Sequence, residues 1–96
     1  MSVQRNEVIV DSACARDINR LPSEVQEKLL LLLDILAVNP FHPLLHTKPL
    51  SAPLQGMFSF RIAREYRVGF KFREAYTIQL LAAGSRDKIY ERLRRK

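Results

Sequence analysis

The feature that most constrains the fold of this chain is a run of three alternating apolar and polar segments between residues 58 and 82. In each segment the apolar side chains occupy even-numbered positions, beginning with Phe58, Phe60 and Ile62. Side chains two positions apart on a strand share a face, so the pattern predicts three antiparallel strands with one apolar face. Hairpin loops of odd length preserve this numbering, and three-residue loops at 63–65 and 73–75 satisfy that condition.

The other face of this predicted sheet carries arginines on neighbouring strands. The loop lengths place Arg61 directly opposite Arg67. Like charges opposite each other on a sheet are destabilising. We therefore infer that this pair serves to bind an anion.

The positive charge of the chain is concentrated in its last third. The net charge is +6, yet residues 61–96 contain eleven Lys or Arg against four Asp or Glu, a net +7. Such an asymmetry is typical of a protein that binds a polyanion such as nucleic acid. For the tail alone, a simpler interpretation as a solubilising segment is favoured. The tail residues are Arg92, Arg94, Arg95 and Lys96.

Length and composition predict a single domain over residues 1–96 with one hydrophobic core. The single Cys14 excludes an internal disulfide framework and is expected to be a buried apolar residue. The N-terminal residues show no apolar leader, and the longest apolar run, Leu29–Leu33, is too short to span a bilayer. We expect a cytoplasmic protein with no membrane partner.

The first 40 residues predict a short strand followed by two helices. The β-branched run at 7–10 predicts the strand, and Asp11 or Ser12 offers an N-cap for the first helix. Ser23 and Gln26 match a capping box for the second helix, whose run Leu29–Leu33 is apolar on every side. That run predicts contacts on more than one face, with the sheet and with either the first helix or a protein partner.

The ends of the sheet region are predicted to be irregular or helical. Prolines punctuate residues 40–56, so a long functional loop is expected there. After the third strand, Ser85 is predicted to cap a short helix. Arg86 and Tyr90 would then share one face of that helix, because they are four residues apart.

Several classes of chemistry are excluded or unsupported by the sequence. A metal site is not predicted, since the only histidines are His42 and His46 and no acidic cluster has ligand spacing. There is no glycine-rich phosphate loop and no nucleophile-elbow sequence. The remaining basic residues and one tyrosine suit the binding and activation of a phosphodiester.

The order of elements and several short motifs resemble the RelE/ParE toxin superfamily of toxin–antitoxin systems. The resemblance extends from Val8 to Leu93 and implies a small α+β fold. In that fold an N-terminal strand and two helices pack on an antiparallel sheet, followed by a short C-terminal helix. The motifs are Pro49-Leu50 with Leu54-x-Gly56, Phe60-Arg61-Ile62, Glu65-Tyr66-Arg67-Val68 and Ala83-Gly84-x-Arg86-x-x-x-Tyr90.

The RelE and YoeB branches of the family imply a function. Their members are ribosome-dependent endoribonucleases that cut mRNA in the decoding site, by attack of a 2′-hydroxyl on the adjacent phosphate. The resemblance therefore implies a type II toxin that needs no metal and no cofactor. Its implied partners are a cognate antitoxin protein and mRNA on the ribosome, with contacts to rRNA.

The resemblance also implies roles for individual residues. Arg67 matches the arginine that holds the scissile phosphate, and Arg86 matches the arginine that stabilises charge in the transition state. Tyr90 matches the tyrosine that stacks on or orients the substrate. The further residues expected to bind RNA or phosphate are Arg61, Arg64, Lys71 and Lys88.

The general base is where this chain departs from the family. Ala63 stands where the RelE branch has a lysine, and Ile89 stands where YoeB-like members have a histidine. YoeB-like members also have a glutamate near the position of Lys48. We expect Lys48 or His46 to replace the base, since either side chain is chemically adequate.

Two other functions remain open at the level of sequence. A ParE-like protein shares the fold but inhibits DNA gyrase by binding, although it would not need Arg86 and Tyr90 as a pair. A catalytically weak member would only bind its antitoxin. Each basic residue also has a structural interpretation, in which Arg61 or Arg67 forms a salt bridge with Glu65 or Glu74.

Overall fold

A computed structural model describes residues 5–96 of the chain. Residues 1–4, part of the segment in which no leader is predicted, lie outside the described residues. The elements follow the predicted order of strand, two helices, loop, three strands and short helix. They are β1 (Glu7–Val10), α1 (Ser12–Asn19), α2 (Ser23–Val38), β2 (Lys48–Pro49), β3 (Phe58–Ala63), β4 (Tyr66–Glu74), β5 (Thr77–Ser85) and α3 (Ile89–Arg94).

The strands form one sheet in the order β1-β5-β4-β3-β2. Strands β2 to β5 pair antiparallel, as predicted for the three long strands. The first strand instead pairs parallel with β5, so the sheet is mixed rather than wholly antiparallel. The parallel pairing arises because α1 and α2 carry the chain across one face of the sheet before β3 begins. The predicted α+β class is confirmed.

The hairpin loops are shorter than predicted, and bulges restore the register. Two residues, Arg64 and Glu65, connect β3 to β4, and the register shifts between Arg61 and Ala63. Residues 75 and 76 connect β4 to β5, and Tyr76 takes a left-handed conformation with φ 64°. A bulge adds one residue to one strand, so it keeps the apolar side chains of the two strands on the same face, as a loop of odd length would.

A further register shift, away from the hairpins, changes the facing of β5. The register shifts between Gly69 and Phe70, so that Gly69 pairs with Ala82 and Phe70 pairs with Leu80. The prediction that even-numbered side chains share one face holds through Phe72 and for Ile78 and Leu80, and it is wrong beyond Leu80. It is also wrong for Tyr76, which lies exposed in the turn before β5. Ala83 returns to the larger core, whereas Leu81 and Ala82 pack on the opposite face.

Two hydrophobic clusters lie on the two faces of the sheet. The larger one joins α1 and α2 to the predicted apolar face, and it contains Cys14, Leu29, Phe60 and Phe70. The smaller one lies beneath α3 and the loop after β2, and it contains Leu50, Leu54, Leu81, Ala82, Ile89 and Leu93. The sheet is therefore covered on both faces, and the arginine face is partly buried by α3.

The helix caps agree only in part with the sequence. Asp11 caps α1 as predicted, because its carboxylate accepts from the Cys14 N–H at 2.9 Å. The predicted capping box of α2 is wrong: Pro22 is the N-cap residue, and no side chain caps the helix. Gln26 instead donates to the carbonyls of Asn19 and Leu21. No helix within residues 5–96 is both long enough and apolar enough to cross a membrane.

The apolar run of α2 is covered on one side only. Leu29 and Leu32 are buried in the larger core, but Leu30 and Leu31 are 67% and 70% exposed. The first helix does not cover this second side. The loop at 40–56 contains a 3₁₀ turn at Pro43–Leu45 and the short strand β2, so it is more ordered than predicted.

Candidate functional site

Arg67 lies at the centre of the sheet face that α3 covers. It pairs with Arg61 on β3, as predicted, and with Gly84 on β5. Arg67 is only 9% exposed, although it carries a guanidinium group. No carboxylate within residues 5–96 forms an ion pair with it. The alternative in which Glu65 or Glu74 neutralises Arg67 is therefore not observed.

Arg61 is half-buried beside it and is also unpaired among the described residues. The Nε atom of Arg61 and the Oγ atom of Ser59 are buried and have no hydrogen-bond partner in the described part of the chain. Buried donors without partners are costly. This face therefore retains hydrogen-bonding capacity that the described side chains do not use.

A cleft opens beside these residues, between α3 and the loop that follows β2. We call it the Lys48 cleft; its volume is about 390 Å³, and Lys48, Tyr90 and Arg94 line it with residues 49–54 of the loop. No carboxylate side chain lines this cleft. The structure thus brings together Lys48, one candidate base, and Tyr90, the predicted substrate-orienting residue.

The other candidate base lies in a separate groove. His46 lines a groove of about 370 Å³ with Lys28, Arg61 and Arg64, and this groove also lacks carboxylates. His46 adopts a left-handed backbone conformation with φ 50° at the end of the 3₁₀ turn. We call Arg61 and Arg67, which pair across β3 and β4, the arginine row. Because Arg61 also lines this groove, His46 lies near the arginine row but not in the cleft of Tyr90.

The remaining predicted site residues are distributed around the arginine row. Arg86 is exposed and follows β5 directly, and its backbone N–H donates to the Glu65 carbonyl at 2.8 Å. Arg64 is exposed in the turn after β3, and Lys88 is exposed before α3. Lys71 is half-buried on β4, opposite Gln79.

The predicted helical face shared by Arg86 and Tyr90 is wrong. The helix α3 begins at Ile89, and its N-cap residue is Lys88, without a side-chain cap. Ser85 belongs to β5 instead of capping a helix. Strand β5 extends to Ser85, because Ser85 still pairs with Tyr66 of β4. Arg86 therefore lies at the end of β5, in the connection to α3.

The position of α3, and hence of Tyr90, depends on two contacts that the sequence did not reveal. Arg92 of α3 donates to the carboxylate of Asp17 in α1, and the same carboxylate accepts from the backbone N–H of Ala83. Leu93 packs directly over Gly69, where a Cβ atom would lie 2.5 Å from Leu93 Cδ2. Arg92 and Asp17 are 75 residues apart, so no local pattern indicates their pairing.

Two further points concern a metal site and the thiol of Cys14. Within residues 5–96 no group of His, Cys, Asp and Glu is arranged to hold a metal ion. Burial raises the pKa of the Cys14 thiol to about 12, with Asp17 and Asp11 adding to the rise. Cys14 is fully buried in the larger core, as predicted, and its thiol is kept protonated.

Comparison with known proteins adds information at the level of the fold. No protein-family model matches the chain, and no curated protein sequence matches it. A chain of the RelBE2 toxin–antitoxin complex from Mycobacterium tuberculosis superposes with a TM-score of 0.72 at 24% identity, covering 85% of this chain and 99% of that one. YafQ from E. coli gives a TM-score of 0.73 at 13% identity, with 90% and 99% covered.

A YoeB/ParE toxin from Agrobacterium tumefaciens has the same fold. Its TM-score is 0.71 at 19% identity, with 82% of this chain and 96% of that chain covered. Fold similarity at such identities does not by itself transfer an activity. The resemblance inferred from the sequence motifs is thus confirmed in the fold, which is that of RelE/ParE toxins.

Proposed function

We propose that this chain, which has the fold of the RelE/ParE toxins, is the toxin of a toxin–antitoxin pair and cleaves mRNA on the ribosome without a metal ion. The observation that carries the proposal is the pairing of Arg67 with Arg61 on a covered sheet face, with no carboxylate partner among residues 5–96. Its site of action would be the cytoplasm, where ribosomes translate mRNA.

Unpaired arginines on a partly buried surface are costly without a ligand. Removing a charge from water costs several kcal/mol unless an opposite charge compensates it. Two guanidinium groups side by side add a repulsive interaction. A phosphate between them relieves both costs, because each guanidinium forms charge-assisted hydrogen bonds with its oxygens. The arrangement is therefore suited to a phosphodiester.

The proposed reaction is an internal transesterification of RNA. The 2′-oxygen of one nucleotide attacks the adjacent phosphorus, and its proton passes to the general base. The bond from phosphorus to the 5′-oxygen breaks, and that oxygen takes a proton from water, which leaves a 2′,3′-cyclic phosphate and a 5′-hydroxyl end. Arg67 binds the non-bridging oxygens, and Arg86 adds positive charge as the negative charge develops.

We assign the general base to Lys48 rather than His46. Lys48 lines the same cleft as Tyr90, the residue proposed to orient the substrate nucleotide. It also pairs in the sheet with Ser59, two residues from Arg61 on β3. His46 lines the separate groove on the other side of Arg61. A base must reach the proton it removes, so the cleft favours Lys48.

The proposed antitoxin would cover the exposed side of α2. Leu30 and Leu31 are more than two-thirds exposed, next to the buried Leu29 and Leu32. An amphipathic segment that folds on binding is suited to such a surface, and acidic residues in it would neutralise the basic face. Co-expression with the small protein encoded beside this chain tests the proposal. A chain that remains unpartnered would contradict it.

Primer extension on mRNA bound to programmed ribosomes tests the proposed activity. We expect cuts in the decoding site with the wild type, and a loss of about 10²–10³-fold in rate for Arg67→Ala and for Arg86→Ala. Tyr90→Phe should lose less, because the aromatic ring is retained. Arg73→Ala is the matched control, since Arg73 is an exposed arginine of β4 outside the site.

The outcomes separate the competing functions. Intact mRNA with the wild-type protein would refute the nuclease, and inhibition of DNA gyrase would then support the ParE-like alternative. Equal losses for Arg67→Ala and Arg73→Ala would show that total charge, rather than the arginine row, governs the activity.

A further inference from the structure

One residue that lines the Lys48 cleft was interpreted, from the sequence alone, as part of a solubilising tail. Arg94 lines the cleft together with Lys48 and Tyr90. It lies four residues after Tyr90, so the two side chains share one face of α3. The neighbouring Arg95 lies elsewhere on the surface, where it forms an ion pair with Glu91 at 3.3 Å. Adjacent arginines of equal charge therefore face different environments.

The lining of the cleft indicates the class of ligand it would take. Its charged side chains are Lys48 and Arg94, and neither forms an ion pair within the described residues. Tyr90 is half-buried and offers an aromatic surface to the same space. Cations bind phosphates, and aromatic rings stack on bases. A volume of about 390 Å³ is in the range of small-ligand sites, so the cleft suits one nucleotide.

The sheet register fixes where this cleft lies relative to the arginine row. Lys48 pairs with Ser59, which lies two residues before Arg61 on the same face of β3. Arg61 in turn pairs with Arg67. With strands about 4.8 Å apart and a rise of about 3.3 Å per residue, the Cα atoms of Lys48 and Arg67 are roughly 12 Å apart. The cleft is thus next to the arginine row and distinct from it.

We propose that the Lys48 cleft binds the nucleotide on the 5′ side of the scissile phosphate, and that Arg94 binds the phosphate at the 5′ end of that nucleotide. The direction rests on the proposed function, because the attacking 2′-hydroxyl and the base that deprotonates it must belong to this nucleotide. Its base stacks on Tyr90, its 2′-hydroxyl is near Lys48, and its 3′-phosphate reaches Arg67. Arg94 has a binding role only.

Binding of two matched dinucleotides tests this assignment. Both lack the 2′-hydroxyl on the first nucleotide, so that they resist cleavage, and only one carries a 5′-phosphate. NMR titration of the full chain measures each affinity and maps the residues that respond. We expect the 5′-phosphate to strengthen binding about three- to tenfold in the wild type. Arg94→Gln should abolish that difference, whereas Arg95→Gln, which removes the same charge, should retain it.

The binding results test the proposed site independently of whether the protein cleaves mRNA. Spectral changes at Tyr90 together with a 5′-phosphate effect that depends on Arg94 would support the site, even if mRNA is not cleaved on ribosomes. Equal affinities for the two dinucleotides in the wild type would overturn it. A 5′-phosphate effect on affinity that persists in Arg94→Gln would also overturn it. Spectral changes confined to the groove of His46, or no detectable binding of either dinucleotide, would do the same. These outcomes would count against the site even if mRNA is cut as proposed.

Discussion

The replacement of Gly69 by alanine tests how α3 is held on the sheet. A Cβ atom at this position would lie 2.5 Å from Cδ2, 2.6 Å from Cδ1 and 3.0 Å from Cγ of Leu93. Carbon atoms in contact are ordinarily about 3.5–4.0 Å apart, so the helix or the side chain must move by about 1 Å. Leu93 is fully buried in the smaller core, so any movement of its side chain must be accommodated by its neighbours in that core.

The expected cost follows from this overlap. Added methyl groups in a packed core cost about 1–3 kcal/mol, and replacing glycine restricts the unfolded chain by about 0.4–1 kcal/mol in the opposite direction. We therefore expect Gly69→Ala to lower the free energy of unfolding by about 1–2 kcal/mol. Because Tyr90 of α3 lines the cleft, a shift of about 1 Å should also lower the proposed mRNA cleavage by up to about 10²-fold.

Two further variants test whether the cost of Gly69→Ala arises from its contact with Leu93. At Gly84 the nearest atom to a new Cβ is Arg92 Nε at 3.6 Å, an ordinary contact, so Gly84→Ala should be neutral or slightly stabilising. Leu93→Ala alone should cost about 2–5 kcal/mol by leaving a cavity. In that background the methyl group of Gly69→Ala has room, so its effect should vanish or become stabilising.

Urea unfolding followed by circular dichroism measures all four free energies of the double-mutant cycle. The overlap predicts a favourable coupling of at least about 1 kcal/mol between positions 69 and 93. A Gly69→Ala protein as stable as the wild type would refute the packing argument. Additive effects in the double variant would refute it as well, since the loss would then arise from the strand and not from Leu93.

Asp17→Ala should lower the free energy of unfolding by about 2–3 kcal/mol in urea titrations, because it removes the shared acceptor of Arg92 and of the Ala83 N–H. Asp17→Asn should cost less, since an amide oxygen can still accept. For Cys14, the unfolded thiol loses its proton near 9.0 and the folded thiol near 12, so stability should fall as the pH rises between these values. The fall should be about 1.4 kcal/mol by pH 10, and Cys14→Ala should flatten that part of the measured pH profile.

The sequence was sufficient where local periodicity determines the structure. Alternating residues placed the three long strands, and the pairing of Arg61 with Arg67 was predicted correctly even though the loops are shorter than expected. The N-cap at Asp11 and the burial of Cys14 were also predicted, because capping and apolar spacing act within a few residues. The short motifs then indicated the fold that solved toxin structures share.

Other features depend on tertiary contacts and could not be predicted from local sequence patterns. Leu81 faces α3 as the alternation predicts, but the bulge also turns Ala82 to that side, where it packs against a helix that follows later in the sequence. Alternation alone could not predict it. The start of α3 at Ile89, rather than near Ser85, depends on how far β5 remains paired with β4.

The candidate site shows the same division. Its residue types were evident in the sequence, namely basic side chains and one tyrosine. Only the tertiary structure decided that Lys48 and Arg94 share a cleft with Tyr90, while His46 lies in another groove. The physical reason is that side chains from distant segments meet through close packing, such as Leu93 on Gly69, and through the pairing of Arg92 with Asp17. Neither contact leaves a periodic signal in the chain.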